Sequence, residues 1–170
     1  AQGAAIAAIY AQDVRDAGIP PEKLGAPMVR ANGDASRSVP DSLYRPIEPQ
    51  LDLASDTVLP TRPAAMPATI DPAFAAIGAR LSGVLDATQK TTLAGFRLLD
   101  PTGVVIAGRG EVGQSLDRVE EVREALAGRY ASALRLRIPN QPAPPLYSVS
   151  RGTKVRVFVA LPVAIDGKVA

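Results

Sequence analysis

Ten of the chain's 16 prolines fall between positions 20 and 72. Proline removes a backbone donor and fixes φ, so neither a helix interior nor a central strand persists through such a segment. Regular structure must therefore come from the two flanks. Residues 18–70 read as one long irregular excursion, with short helical turns near 21–24 and 42–44. An excursion of this length inside a compact domain is functional or mobile. Leu51, Leu53, Val58 and Leu59 are the side chains expected to pin it to a core. Its 25–50 portion is expected to exchange amide hydrogens faster than the sheet does.

Ahead of the excursion, residues 1–17 read as an amphipathic helix. Ile6, Ile9, Tyr10 and Val14 share one stripe, and Gly18 with Pro20-Pro21 ends it. Behind it, Asp71-Pro72 opens a second helix over 71–91, with Asp71 as N-cap and Pro72 at the first helical position. Phe74, Ile77, Leu81, Leu85 and Thr88 recur at three- and four-residue steps. Gly78 and Gly83 inside this helix each cost about 1 kcal/mol relative to Ala, which close approach of another backbone would justify.

The stretch 95–128 organises the rest. Two short apolar runs flank Asp100-Pro101-Thr102-Gly103, a sequence suited to a type I turn, so a β-hairpin is expected. A Gly-rich loop follows. Asp117 with Glu120 forms a capping box for a short helix over 118–127, Val119, Val122 and Leu126 recur along it, and Gly128 stops it. Residues 129–138 then alternate, with Tyr130, Leu134, Leu136 and Ile138 on one face and Arg129, Arg135 and Arg137 on the other. Residues 139–145 form a proline-rich connection, read as the hairpin loop to a short strand at 146–150. Residues 155–165 are mostly apolar on both faces, as in a central strand. Pro162 marks a bulge or the end of that strand, and Asp166-Gly167 is a hairpin turn.

At 170 residues, a single domain over 1–170 is expected. There is no Cys and no His. Thiolate chemistry is excluded, and the commonest general base and metal ligand is missing. No catalytic residue, metal site or cofactor is assigned. No stretch carries the roughly 20 apolar residues of a membrane span, and no signal-peptide pattern is present.

The pieces of the second half, taken in order, carry a resemblance. An apolar strand ends in D-x-x-G (98–103), and a second strand follows. Then come G-x-S-L (113–116), a short helix ending A-L-x-G (125–128), and the later strand V-F-V-A-L-P-V (157–163). This order resembles the membrane-external sensor domains of bacterial histidine kinases, of the Cache or PAS-like periplasmic type. The resemblance implies an α+β fold: an antiparallel sheet of about five strands, with the N-terminal and second helices on one face. It implies a signal-sensing domain of a two-component kinase on the periplasmic side of the inner membrane. Transmembrane helices would flank it, and the parent would be a homodimer. The chain's two ends fit such an excised domain. On this reading the fragment catalyses nothing itself. A chemoreceptor or cyclase parent, a soluble Pro-rich binding or scaffold protein, and a carboxylate-based hydrolase are the alternative readings.

The formal net charge is +2 and is unevenly spread, because residues 125–165 hold six basic side chains and no acidic one. Such a segment attracts anions, and no nucleic-acid motif accompanies it. The candidate ligand-binding residues are Arg97 in the hairpin, Arg109 and Ser115 in the loop, and Arg135, Tyr147 and Arg156 in the later strands. The expected ligand is a small anionic molecule, since guanidinium forks carboxylate and phosphate. A strand arginine needs a partner, and Asp100 and Glu111 are the internal carboxylates that would otherwise supply one. Anionic lipid headgroups are the competing partner. The glycines around Arg109 and Glu111 fit neither a P-loop nor a dinucleotide motif. The acidic run Asp117, Glu120, Glu121 and Glu124 reads as a solvated helix face.

Overall fold

The computed structural model describes residues 2–28, 57–108, 110–137 and 154–170. The expected excursion at 29–50, the pinning residues Leu51 and Leu53, and the expected strand at 146–150 with its 139–145 loop lie outside these residues. The described chain is a mixed α+β structure of three α-helices and short antiparallel ladders.

Helix α1 spans Gln2–Asp16 and buries Tyr10, Ala11 and Val14. A single 3-10 turn, Pro21–Lys23, follows. Helix α2 spans Pro72–Thr92. Its start is the expected cap, because an Asp71 oxygen accepts from the Ala73 amide at 2.9 Å. Phe74, Ile77, Leu81 and Leu85 form its buried face. They meet the α1 stripe and the inner side of the hairpin in one core that includes Leu98, Ile106, Ala107 and Ile165.

Strand β1 is Met66–Pro67, β2 Arg97–Leu99, β3 Val105–Gly108 and β4 Gln114–Ser115. The 100–103 turn forms as expected. Gly103 donates to the Asp100 carbonyl at 3.0 Å, and one Asp100 carboxylate oxygen accepts from the Thr102 amide, the Thr102 hydroxyl and the Val104 amide. Strand β3 is buried on both sides. Ile106 meets α2, while Val105 joins Leu116 and Val119 in a second, smaller core. β2 pairs with β3, β1 pairs with β4, and a bridge from Val104 to Ser115 connects the two ladders.

Helix α3 is Glu120–Leu126, with Val119 at its N-cap and no side-chain cap. The expected capping box is absent. The Asp117 amide instead donates to Ser115 Oγ at 3.2 Å, and the chain bends through 117–119 before the helix begins. Strand β5, Ala131–Leu136, pairs in full register with β6, Val155–Ala160. The excursion returns here, since Leu59 bonds Leu134 and Leu136 through its backbone and lies parallel to β5.

Three expectations are corrected. The described strands form four two-stranded ladders, and a continuous five-stranded sheet is not among them. The 155–165 run is not a buried central strand. It breaks at Pro162 into β6 and β7, Ala164–Ile165, and Val157 and Val159 on β6 are 53% and 52% exposed. The acidic run is not wholly a solvated helix face: Glu121 is 4% exposed, because α3 lays it against Arg135 of β5. The last expectation holds. Asp166 and Gly167, at φ +49° and +78°, turn the chain from β7 into β8, Lys168–Val169.

Candidate anion site

Glu111 sits in the loop between β3 and β4. Its two carboxylate oxygens are taken by two guanidiniums, Arg62 Nη2 on one and Arg97 Nε on the other. Arg97 is the first residue of β2, paired with Gly108 where the loop leaves the sheet. Arg62 comes from the opposite direction, on the returning excursion between Leu59, which is tied to β5, and Met66, which is tied to β4. The pair closes a circuit. Arg62 lies four residues before β1 and Glu111 three residues before β4, so the contact clips together the two segments that enter this two-residue ladder.

Among the described residues Glu111 is shared by two guanidiniums. Arg62 Nη1 is buried and has no hydrogen-bond partner among the described residues. An unpaired guanidinium nitrogen removed from water is costly, and native structures normally satisfy it. Arg156, on β6 opposite Arg135, is pushed below the ordinary guanidinium value, first by burial and then by the charges of Arg137 and Arg97. Among the described residues no carboxylate is among the groups that shift it. Arg62 and Arg97 thus share one carboxylate, and the charges of Arg97 and Arg137 both reach Arg156.

Glu111 itself feels opposing influences. Burial raises its pKa; the hydrogen bond from Arg62 and the charge and hydrogen bond of Arg97 outweigh that and hold it below 4.5. A carboxyl whose folded pKa is depressed stabilises the fold above its unfolded value, and that contribution disappears as pH falls through the folded value. The stability gap between wild type and Glu111→Gln is therefore expected to be constant at neutral pH and to narrow only below pH 4.5. Urea titrations of both proteins across the acid range measure it, and a gap independent of pH would show that the charge of Glu111 contributes nothing.

The candidate residues fare differently. Arg97 and Arg156 are brought into one electrostatic neighbourhood, as the anion reading requires. Arg135 is held elsewhere. Its Nε and Nη2 form a fork on Glu121 of α3 at 3.0 and 2.7 Å, and its Nη1 donates to the Pro60 carbonyl at 3.3 Å. That pair is 5% and 4% exposed, and Arg135 gains its partner from the acidic run expected to be solvated. Ser115 is half-buried in β4 and uses its hydroxyl on the backbone of the next turn. Arg109 and Tyr147 lie outside the described residues. Arg62 escaped the sequence reading. It sits in the proline-rich excursion, where no periodicity marks a side chain as inward.

A separate cavity of about 370 Å³ lies between the 3-10 turn, the start of α2 and the 100–103 turn. Asp71, Asp100, Glu22, Lys23 and Phe74 are in its wall, and the Lys23–Asp71 ion pair at 2.7 Å is part of it. Among the described residues no cluster of three acidic side chains is arranged to hold a metal ion, and no helix is long and apolar enough to cross a membrane. Comparison of the chain with family models, with curated proteins and with solved structures finds no match in any of the three.

Proposed function

We propose that this chain is a signal-sensing domain that binds a small anionic molecule at the Arg62–Arg97–Arg156 cluster. The carrying observation is that two guanidiniums, Arg62 and Arg97, share the single carboxylate of Glu111 while a buried Arg62 nitrogen has no partner among the described residues; the charge of Arg97 also reaches Arg156. Guanidinium forks match carboxylate and phosphoryl oxygens, and the half-buried setting strengthens the attraction relative to water. The order of hairpin, Gly-rich loop, short helix and later strands supports the finer reading, a PAS-like or Cache-like module of a membrane-bound histidine kinase on the periplasmic side. In that reading α1 carries the response to a membrane helix of the parent, and two parents associate. A chemoreceptor or cyclase parent would use the same domain in the same way.

A thermal-shift panel of small acids, bases and neutral molecules tests the core of this reading. A binder at 100 times its dissociation constant stabilises the domain by about 2.7 kcal/mol. The hits are expected to be anions, and Arg97→Ala or Arg156→Ala is expected to abolish their shift. Arg135→Ala is unsuited to the purpose, because it strands Glu121 in the interior. A hit list without anions, or anion shifts that survive both substitutions, would refute the site.

A further inference from the structure

Glu111 occupies the fork positions that an incoming anion would need. Two of its features go beyond local charge balance. Gly110 and Gly113 bracket it at φ +86° and +79°, left-handed backbone conformations that other residues would resist. And the clip it makes with Arg62 spans 49 residues of sequence while the ladder behind it is only two residues long. Among the described residues the two strands are also joined by the Ala68 amide, which donates to the Gly113 carbonyl at 2.9 Å, and by Ala65, which packs on the cluster of Val105, Leu116 and Val119; the chain then runs four residues from Ala68 to the start of α2.

Resting on the anion-site reading above, we infer that Glu111 is an internal occupant of the site, and that an external oxyanion binds by exchanging with it on Arg62 and Arg97. No covalent bond changes; one carboxylate replaces another oxyanion on the same donors. The exchange has two consequences. Arg62, freed from Glu111, can present both terminal nitrogens to the ligand, so its buried Nη1 gains the partner it lacks. The clip between the excursion and the loop opens, and the antiparallel β1–β4 ladder loses a side-chain contact between the segments leading into its two strands. The segment that loosens runs directly into α2, the helix packed on β3 and against α1. Occupancy is thereby converted into a change in how firmly the N-terminal end of α2 is held. Glu111 also sets the threshold, because apparent affinity falls by the fraction of molecules in which the site is already filled.

The experiment titrates inorganic phosphate and, separately, succinate into wild type, Glu111→Gln and Arg97→Ala by calorimetry at constant ionic strength. Glu111→Gln keeps the side chain's size and removes its charge. It is expected to bind the preferred probe about tenfold more tightly than wild type, while Arg97→Ala loses binding. The probe that responds distinguishes a phosphoryl from a carboxylate ligand. Hydrogen exchange on wild type alone gives a second readout that depends on no variant: saturating probe should speed exchange at the Ala68 amide while leaving the β5–β6 ladder unchanged. Equal or weaker binding by Glu111→Gln, with Ala68 unaffected, overturns the exchange mechanism and leaves the anion site standing. Absence of binding by all three proteins overturns both.

Discussion

Truncating Glu121 to Ala is expected to destabilise the protein by about 3–5 kcal/mol. The reason is asymmetric. Arg135 and Glu121 are almost wholly removed from water, and each hydrogen bond between them offsets desolvation already incurred. Deleting the carboxylate leaves a guanidinium buried with only the Pro60 carbonyl as partner. The reciprocal Arg135→Ala change leaves a buried carboxylate and releases Pro60, so it should be as damaging. Replacing both residues with apolar side chains of similar volume is a different experiment, because no charge is stranded. That double variant should recover most of the loss. Urea denaturation of the three proteins measures the effect. A single variant within about 0.5 kcal/mol of wild type would mean that α3 moves aside and lets water reach the orphaned charge. The pair also ties the consecutive elements α3 and β5 to the distant excursion at Pro60.

The second large effect is at a glycine. Gly78→Ala is expected to destabilise by about 1–3 kcal/mol or more, although alanine is the better helix former. A Cβ at position 78 would lie 2.2 Å from the Ile106 carbonyl oxygen and 2.7 Å from its carbon. Both are backbone atoms of β3, which is held in its own ladder and cannot turn away as a side chain would. The helix would have to lift from the strand, opening the contacts of Ile77 and Leu81 with the core. At Gly83, in the same helix, an added Cβ would meet nothing within 4 Å. There the intrinsic preference acts alone, and Gly83→Ala is expected to stabilise by up to about 1 kcal/mol. Opposite signs for one chemical change in one helix make the comparison sharp. Thermal or urea unfolding of the two variants measures both, and matching signs would show that propensity outweighs packing at position 78.

Much of this protein can be read in its sequence, and the legible parts share a physical character. The Asp71-Pro72 start of α2, the 100–103 turn and the Asp166-Gly167 turn all rest on interactions among a few consecutive residues. A cap, an Asx oxygen or a positive φ acts within reach of its own backbone, so residue type alone specifies it. The buried faces of α1 and α2 were legible for a related reason, because helical periodicity fixes which side chains share a face; Ile9, placed on the α1 stripe, is the exception and is 44% exposed, at the edge of that face.

What covers a face is a different question, and only the tertiary structure answered it. Alternation along β5 set Arg135 on the face opposite Leu134 and Leu136, yet it carried no information about α3 lying over Arg135 with Glu121. The same limit applies to β6, where apolar residues on both faces suggested burial and Val157 and Val159 remain exposed. Ladder partners were likewise undetermined, since short strands with few residues to set their register gain their pairing from the whole fold. The candidate site depends most on this. Glu111 meets Arg97 across 14 residues and Arg62 across 49. Composition foretold an excess of arginine in the second half of the chain. Glu111 was already among the carboxylates the sequence offered as partners, but which arginines meet it, and that Arg135 is paired elsewhere, were decided by the tertiary route of the chain, above all of a proline-rich segment that local sequence preferences leave unconstrained.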